Sequence, residues 1–214
     1  MKKSIAYIPY NLRFKETKFS DEKWSYIAPT WEEMHKISLD LGAKILQDGV
    51  GFDVLVTLVK GGWTWSRTLS DILKIPELAS FRLRLYDPRE PGIKLKKPIL
   101  DKSLYHDLEN KRVLLFDDVD DSGESLEFSL NYLKKFKPRN VVTATLFHKP
   151  HSVVKPNFFG ATTSSWIIFP HENREAIESL SKKWISKGIT KFEVIKRLLK
   201  IGLPKKEIKL FLSL

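Results

Sequence analysis

Four acidic side chains, Asp117, Asp118, Asp120 and Asp121, fall within five residues of the segment Val113-Leu-Leu-Phe-Asp-Asp-Val-Asp-Asp-Ser-Gly-Glu-Ser125. Carboxylates this close repel one another unless a cation or a hydroxyl-bearing ligand shares them. They accept hydrogen bonds from sugar hydroxyls, hold magnesium through water, and stabilise a developing positive charge. The residues that follow, Ser122-Gly123-Glu124-Ser125, open a helix. Amides at a helix N-terminus form an anion cradle, serine hydroxyls add donors, and glycine lets the backbone come close. One ligand suits both halves if it carries hydroxyls, an anionic group and positive character, as a sugar phosphate does. An acidic turn before an ordinary capped helix is the bland alternative, and it leaves the repulsion unrelieved.

A second candidate is Lys60-Gly61-Gly62, where two glycines free backbone amides and Lys60 adds positive charge. Gly-Gly after a strand is usually only a turn, so this tripeptide gains meaning from the acidic segment beside it.

Side chains with such duties need rigid supports. Asp53–Val59, Val113–Phe116 and Val141–Phe147 are continuous apolar runs of strand length, the pattern of parallel strands buried on both faces. Shorter strands are predicted at Ser80–Tyr86 and Trp166–Phe169. Thr30-Trp-Glu-Glu33 is a capping box, followed by Met34, Ile37, Leu41 and Ile45 at helical spacing and ended by Gly49 and Gly51. Further helices are predicted from Gly62 to about Leu73 and over Ser125–Phe136. Strand alternating with helix implies a parallel α/β sheet, with ligands at the carboxyl ends of its strands. Residues 87–110, with Pro88, Pro91, Gly92 and Pro98 among many charges, read as a long mobile loop. Residues 1–28 are aromatic and basic without clear period, and read as an extra strand or a small cover.

After Pro170 the pattern becomes three short amphipathic helices: 173–187, then from the capping box Thr190-Lys-Phe-Glu193 to about Ile201, then beyond Pro204. The expected division is a core of residues 1–170 and a three-helix bundle of 171–214.

Composition bounds the rest. With 214 residues, 42% of them hydrophobic, the chain can form one substantial core and a small appendage. The absence of cysteine excludes disulfides, thiolate catalysis and Cys-ligated metals. No apolar run is long enough to span a bilayer, so a cytoplasmic protein without a membrane partner is expected. The net charge of +11 points to anionic partners. Much of it lies between Arg174 and Leu214, which hold 11 Lys and Arg against 4 Glu. This tail reads as a packed appendage, as a cover that steers an anionic substrate to the site, or as a nucleic-acid module. Ile189–Leu203 is similar to half of a helix-turn-helix.

The acidic segment resembles the phosphoribosyl-pyrophosphate signature of type I phosphoribosyltransferases. That signature is an apolar strand, two acids, two variable residues, then Asp, Ala or Thr, then Thr or Ser, Gly, any residue, and Ser or Thr. The resemblance implies that Ser122, Gly123, Glu124 and Ser125 hold the 5′-phosphate. It implies that Asp117 and Asp118 hold the ribose hydroxyls, bind magnesium through water and steady an oxocarbenium-like transition state. Lys60, Gly61 and Gly62 stand where the family places its pyrophosphate loop. The basic loop 87–110 stands where it has a flexible flap, with Arg84 and Tyr86 at its root as candidate pyrophosphate contacts. A homodimer is also implied.

Thr145-Leu-Phe-His-Lys149-Pro and Trp166-Ile-Ile-Phe-Pro170 resemble the base pocket of 6-oxopurine phosphoribosyltransferases. By that resemblance Lys149 donates to the purine 6-oxygen, Trp166 stacks on the ring, Ile167 reads its edge through the backbone, and Asp121 accepts the N7 proton. His148 and His151 flank Lys149 and read as rim or surface residues. Two features depart from that pattern: Phe169-Pro170-His171-Glu172, where related sequences carry Trp in place of His, and the helices after it. A 6-oxopurine-like core with a C-terminal bundle resembles the crenarchaeal adenine phosphoribosyltransferases. Adenine is therefore the first expectation, with hypoxanthine, guanine or xanthine as the alternative. A nucleic-acid-binding regulator that kept this fold is the competing class.

Overall fold

The computed structural model describes residues 7–86 and 94–212. In chain order the elements are strand Tyr26–Ile27 (β1), helix Trp31–Asp48 (α1), strand Val54–Val59 (β2), helix Trp63–Ile72 (α2), strands Glu77–Tyr86 (β3), Lys94–Lys102 (β4) and Arg112–Asp120 (β5), helix Glu124–Leu133 (α3), strands Asn140–His148 (β6), Phe158–Thr162 (β7) and Trp166–Ile167 (β8), and helices Asn173–Ser186 (α4), Lys191–Ile201 (α5) and Lys205–Phe211 (α6). The fold is α/β, with a mostly parallel central sheet and C-terminal helices. Two compact units divide the chain: residues through Asn11 with His35–Thr163, and Leu12–Met34 with Ser164–Leu214. The division therefore does not fall at a single point near 170, because residues 12–34 group with the C-terminal helices.

The first unit holds a six-stranded sheet of order β4-β3-β2-β5-β6-β7. All its pairings are parallel except β3 with β4. The apolar runs of β2 and β5 fold as expected because both faces of these central strands are covered. On one face Val54, Val56, Leu58, Val113 and Leu115 pack against Leu126, Tyr132 and Leu133 from α3 and its end. Helix α1 meets α2 and β7 at two glycines: a Cβ on Gly42 would lie 2.4 Å from Ile72, and one on Gly160 would lie 2.5 Å from Ile37.

The expected mobile loop is largely structured. Residues 94–102 form the edge strand β4, paired to β3, and Leu104 and Leu108 are buried in the core. Lysines and Pro98 are what an edge strand carries to discourage further pairing, and the same composition reads as a loop. Residues 87–93 lie outside the described residues. The strand after β6 in the sheet is β7, which the sequence reading did not anticipate. Trp166–Phe169 supplies only β8, which pairs in parallel with β1 outside that sheet.

The second unit explains the N-terminal segment. Phe19 and Tyr26 share one core with Ile168, with Ile177 and Trp184 of α4, with Val194 and Leu198 of α5, and with Ile208 of α6. The three helices thus bundle around residues from the other end of the chain. Thr190 caps α5, accepting from Glu193 N at 3.3 Å, and Gly202 ends it with φ of 115°. Glu22, its side chain fully buried, accepts from Trp184 Nε1 (3.0 Å), Tyr26 OH (2.8 Å), Lys183 Nζ (2.6 Å) and Lys187 Nζ (2.9 Å). Burial alone would raise its carboxyl, but the four donors outweigh that and hold it at about 2. Among the described residues no helix is long and apolar enough to cross a membrane.

Candidate active site

The site is built at the carboxyl end of β5, in the first unit. Register places Asp117 beside Thr145 of β6 and Asp120 beside His148. Two local amides turn inward: Asp118 N donates to Asp117 Oδ1 (3.0 Å) and Val119 N to Asp118 Oδ1 (2.8 Å). Asp118 is buried and Asp117 half-buried. Burial pushes the Asp118 carboxyl up to about 6. Dense packing, then the like charge of Asp118, push Asp117 well above the usual carboxylate range.

The loop between β2 and α2 packs directly on this pair. A Cβ on Gly61 would lie 2.7 and 2.8 Å from the two Asp118 carboxylate oxygens. One on Gly62 would lie 2.5 Å from Thr57 Oγ1 and 3.1 Å from Asp117 Oδ1. A side chain at either position would push the acid pair or Thr57 aside. A backbone hydrogen bond from Gly62 works against burial and like charge, and lowers the Asp117 carboxyl. The Val59–Lys60 peptide is cis, and Lys60 is exposed. Thr57, not anticipated as a site residue, interrupts the apolar run of β2. Its hydroxyl is buried under Gly62 without a hydrogen-bond partner among the described residues.

On the other side of Asp118, Gly123 holds φ of 86° at the N-cap of α3, and no side chain caps that helix. Its first-turn amides are therefore not claimed by a capping side chain. Glycine is required twice over, by the left-handed backbone and by proximity: a Cβ would fall 2.8 Å from Val154 N. Ser122, Glu124 and Ser125 are half-buried around it. Asp121 is exposed, with Oδ1 3.3 Å from His151 Nε2. Lys149 is buried, and its amide donates to Asp120 O at 2.9 Å.

This end of the sheet thus combines a glycine loop, an uncompensated acid pair and an uncapped helix start. Residues 30–174 match the phosphoribosyl transferase domain. The chain belongs to that family. As a phosphoribosyltransferase, it is a pentosyltransferase enzyme. Among solved structures it is similar to a purine phosphoribosyltransferase from Pyrococcus horikoshii, with 29% identity, 68% of this chain and 92% of that chain covered, and a TM-score of 0.59. It is also similar to a hypothetical protein from Neisseria gonorrhoeae with bound ppGpp, at 27% identity, coverage of 71% and 91%, and a TM-score of 0.63. A xanthine-guanine-hypoxanthine phosphoribosyltransferase from Helicobacter pylori matches at 25% identity, with coverage of 72% and 99% and a TM-score of 0.58. No curated protein matches the chain.

Within this phosphoribosyltransferase domain, Asp117, Asp118, Gly61, Gly62 and the Ser122–Ser125 turn come together. Arg84 is engaged elsewhere: it sits in the β3–β4 hairpin, with Nη2 2.7 Å from Asp101 Oδ1. That partner lies seventeen residues on, inside the stretch read as a loop. The Tyr86 side chain lies outside the described residues. Trp166 and Ile167 belong to the second unit, where Trp166 is 59% exposed and Ile167 buried.

The donor set suits a magnesium ion. Asp117 and Asp118 are adjacent oxygen donors, and among the described residues neither is ion-paired.

Proposed function

We propose that this chain transfers the 5-phosphoribosyl group from phosphoribosyl pyrophosphate to N9 of a purine, with adenine as the first candidate base. The observation that carries the transfer chemistry is the packing of Gly61 and Gly62 on the Asp117–Asp118 pair, next to the uncapped start of α3. A ribosyl ligand bound there offers hydroxyls to the two acids while the Ser122–Ser125 turn takes its 5′-phosphate. Asp117 and Asp118 would hold magnesium through water, and the ion would neutralise charge on the pyrophosphate. Lys60 is the side chain that adds positive charge at the same loop. The C1′–N9 bond forms as the bond from C1′ to the pyrophosphate oxygen breaks, and Asp121 accepts the proton that the ring loses from N7. Lys149, Trp166 and Ile167 are the proposed base contacts.

Adenine is favoured by the helices beyond residue 174, where the family match ends, and by His171 in the Phe-Pro-His-Glu segment. The name of the similar structure from H. pylori supports a second reading, in which the base is hypoxanthine, guanine or xanthine. A site built for one purine edge leaves polar groups unpaired against the other, so one base class should dominate. The test is to incubate the protein with magnesium, phosphoribosyl pyrophosphate and each base in turn, and to measure nucleotide and pyrophosphate. AMP as the main product supports the first reading, and IMP, GMP or XMP the second. No product with any base, together with salt-sensitive binding of DNA or RNA, replaces both with a nucleic-acid regulator.

A further inference from the structure

Asp120 has no part in the proposed reaction, yet its side chain is only 1% exposed. Taking a carboxylate out of water is strongly unfavourable unless hydrogen bonds replace the lost solvent. Here two side chains replace it. His148 Nδ1 lies 2.8 Å from Asp120 Oδ2, and Ser152 Oγ donates to Oδ1 at 2.9 Å. The His148 ring also leans on Phe159, with ring centroids 5.1 Å apart. One bond reaches the last residue of β6, and the other reaches the turn after it. The Ser152 hydroxyl accepts from Val154 N at 3.3 Å. Ser152 N donates to Lys149 O at 3.0 Å, and Val153 N to Ser122 O at 3.3 Å. Gly123 lies against the same turn, where a Cβ would come within 2.9 Å of Ser152 Oγ. The phosphate turn and the turn that starts at Lys149 are therefore one hydrogen-bonded body, with Asp120 holding both.

We propose that Asp120 is a positioning residue that sets the separation between the phosphate cradle at Ser122–Ser125 and Lys149, and thereby between the phosphate and base ends of a bound nucleotide. The proposal rests on the purine phosphoribosyltransferase reading above. Its chemistry predicts a split between ligands. Ribose 5-phosphate touches the cradle only, whereas AMP or GMP must satisfy both ends at once.

The experiment is titration calorimetry of the full chain with ribose 5-phosphate, AMP and GMP, for wild type, Asp120→Ala, Asp120→Asn and Ser152→Ala. Asp120→Ala should weaken the better-bound nucleotide by about tenfold to a hundredfold, the usual cost of misplacing a group by a fraction of an ångström to an ångström. Ribose 5-phosphate affinity should be nearly unchanged. Asp120→Asn should recover most of the nucleotide affinity, because its carbonyl still accepts from Ser152 and its amide can pair with the other His148 tautomer. Ser152→Ala cuts one link only, and should show the same split at smaller size even if Asp120→Ala does not fold. Equal losses for both ligands, no nucleotide loss, or no recovery in Asp120→Asn each overturns the proposal. Wild-type protein that binds ribose 5-phosphate but neither nucleotide instead sinks the purine reading itself, and the proposal with it.

Discussion

Glu22 in the second unit and the Asp117–Asp118 pair in the first are carboxylates withdrawn from water, and they end with opposite proton affinities. Glu22 is met by two ammonium groups, an indole N–H and a phenol. Asp117 and Asp118 are met by backbone amides and by each other. An acid whose own chain supplies its donors is finished when the protein folds. An acid pair left with like charge and a few amides remains short of positive charge, which a cation or a row of hydroxyl donors would supply.

Four measurements break or sharpen this contrast. The largest effect belongs to Asp121, the exposed acid of the cluster. Asp121→Ala should lower turnover about 10²- to 10⁴-fold while leaving phosphoribosyl-pyrophosphate binding nearly intact, as read by steady-state kinetics and calorimetry. Undiminished turnover would remove Asp121 from the mechanism. Next, Asp118→Asn should lower kcat about 10²- to 10³-fold and yet raise the thermal midpoint at pH 8, because the amide carries no buried charge. Third, Glu22→Ala should do the reverse in kind. It should cost about 2–4 kcal/mol in urea unfolding, since Trp184 Nε1 and Tyr26 OH lose their acceptor. A loss of stability in both variants would dissolve the distinction between the two acids.

The smallest effect is the pH dependence of stability, and its two arms have opposite signs. Asp118 is raised from 3.8 to about 6, so its contribution is fullest below 3.8 and is lost as pH rises through about 6. Glu22 is lowered from 4.5 to about 2, so its contribution is present above 4.5 and is lost as pH falls toward about 2. Asp118→Asn should flatten the upper arm, and Glu22→Gln the lower one. Urea midpoints measured across the range decide this. Unchanged arms in the two variants would show that other groups dominate.

Much of the first unit was legible because its signals are local. β2, β5 and β6 announce themselves as apolar runs, and the acidic segment carries its own spacing. The capping box at Thr190 marked α5 to within a residue. What escaped the sequence depends on partners far along the chain. Glu22 reads as one more surface acid until Lys183, Trp184 and Lys187 arrive from more than 160 residues away. β4 was hidden because lysine and proline serve an edge strand and a loop alike. β7 was hidden because Gly160, which makes room for Ile37, breaks its apolar run. At the site, the turn at Ser122–Ser125 into α3 was legible, but the engagement of Arg84 by Asp101 was not. Its partner lay in the stretch read as a loop.

The discontinuous second unit has a consequence for how the chain is made. Phe19, Glu22 and Tyr26 leave the ribosome well before their core neighbours, which reach as far as Ile208. Until Ile208 has emerged, this segment has no finished place to dock, while the sheet of the first unit needs nothing beyond Thr162. Synthesis is vectorial and domains fold as units, so the first unit should fold on the nascent chain. The second can close only after Ile208 has emerged, so the aromatic segment around Phe19 and Tyr26 stays undocked while the sheet is being made.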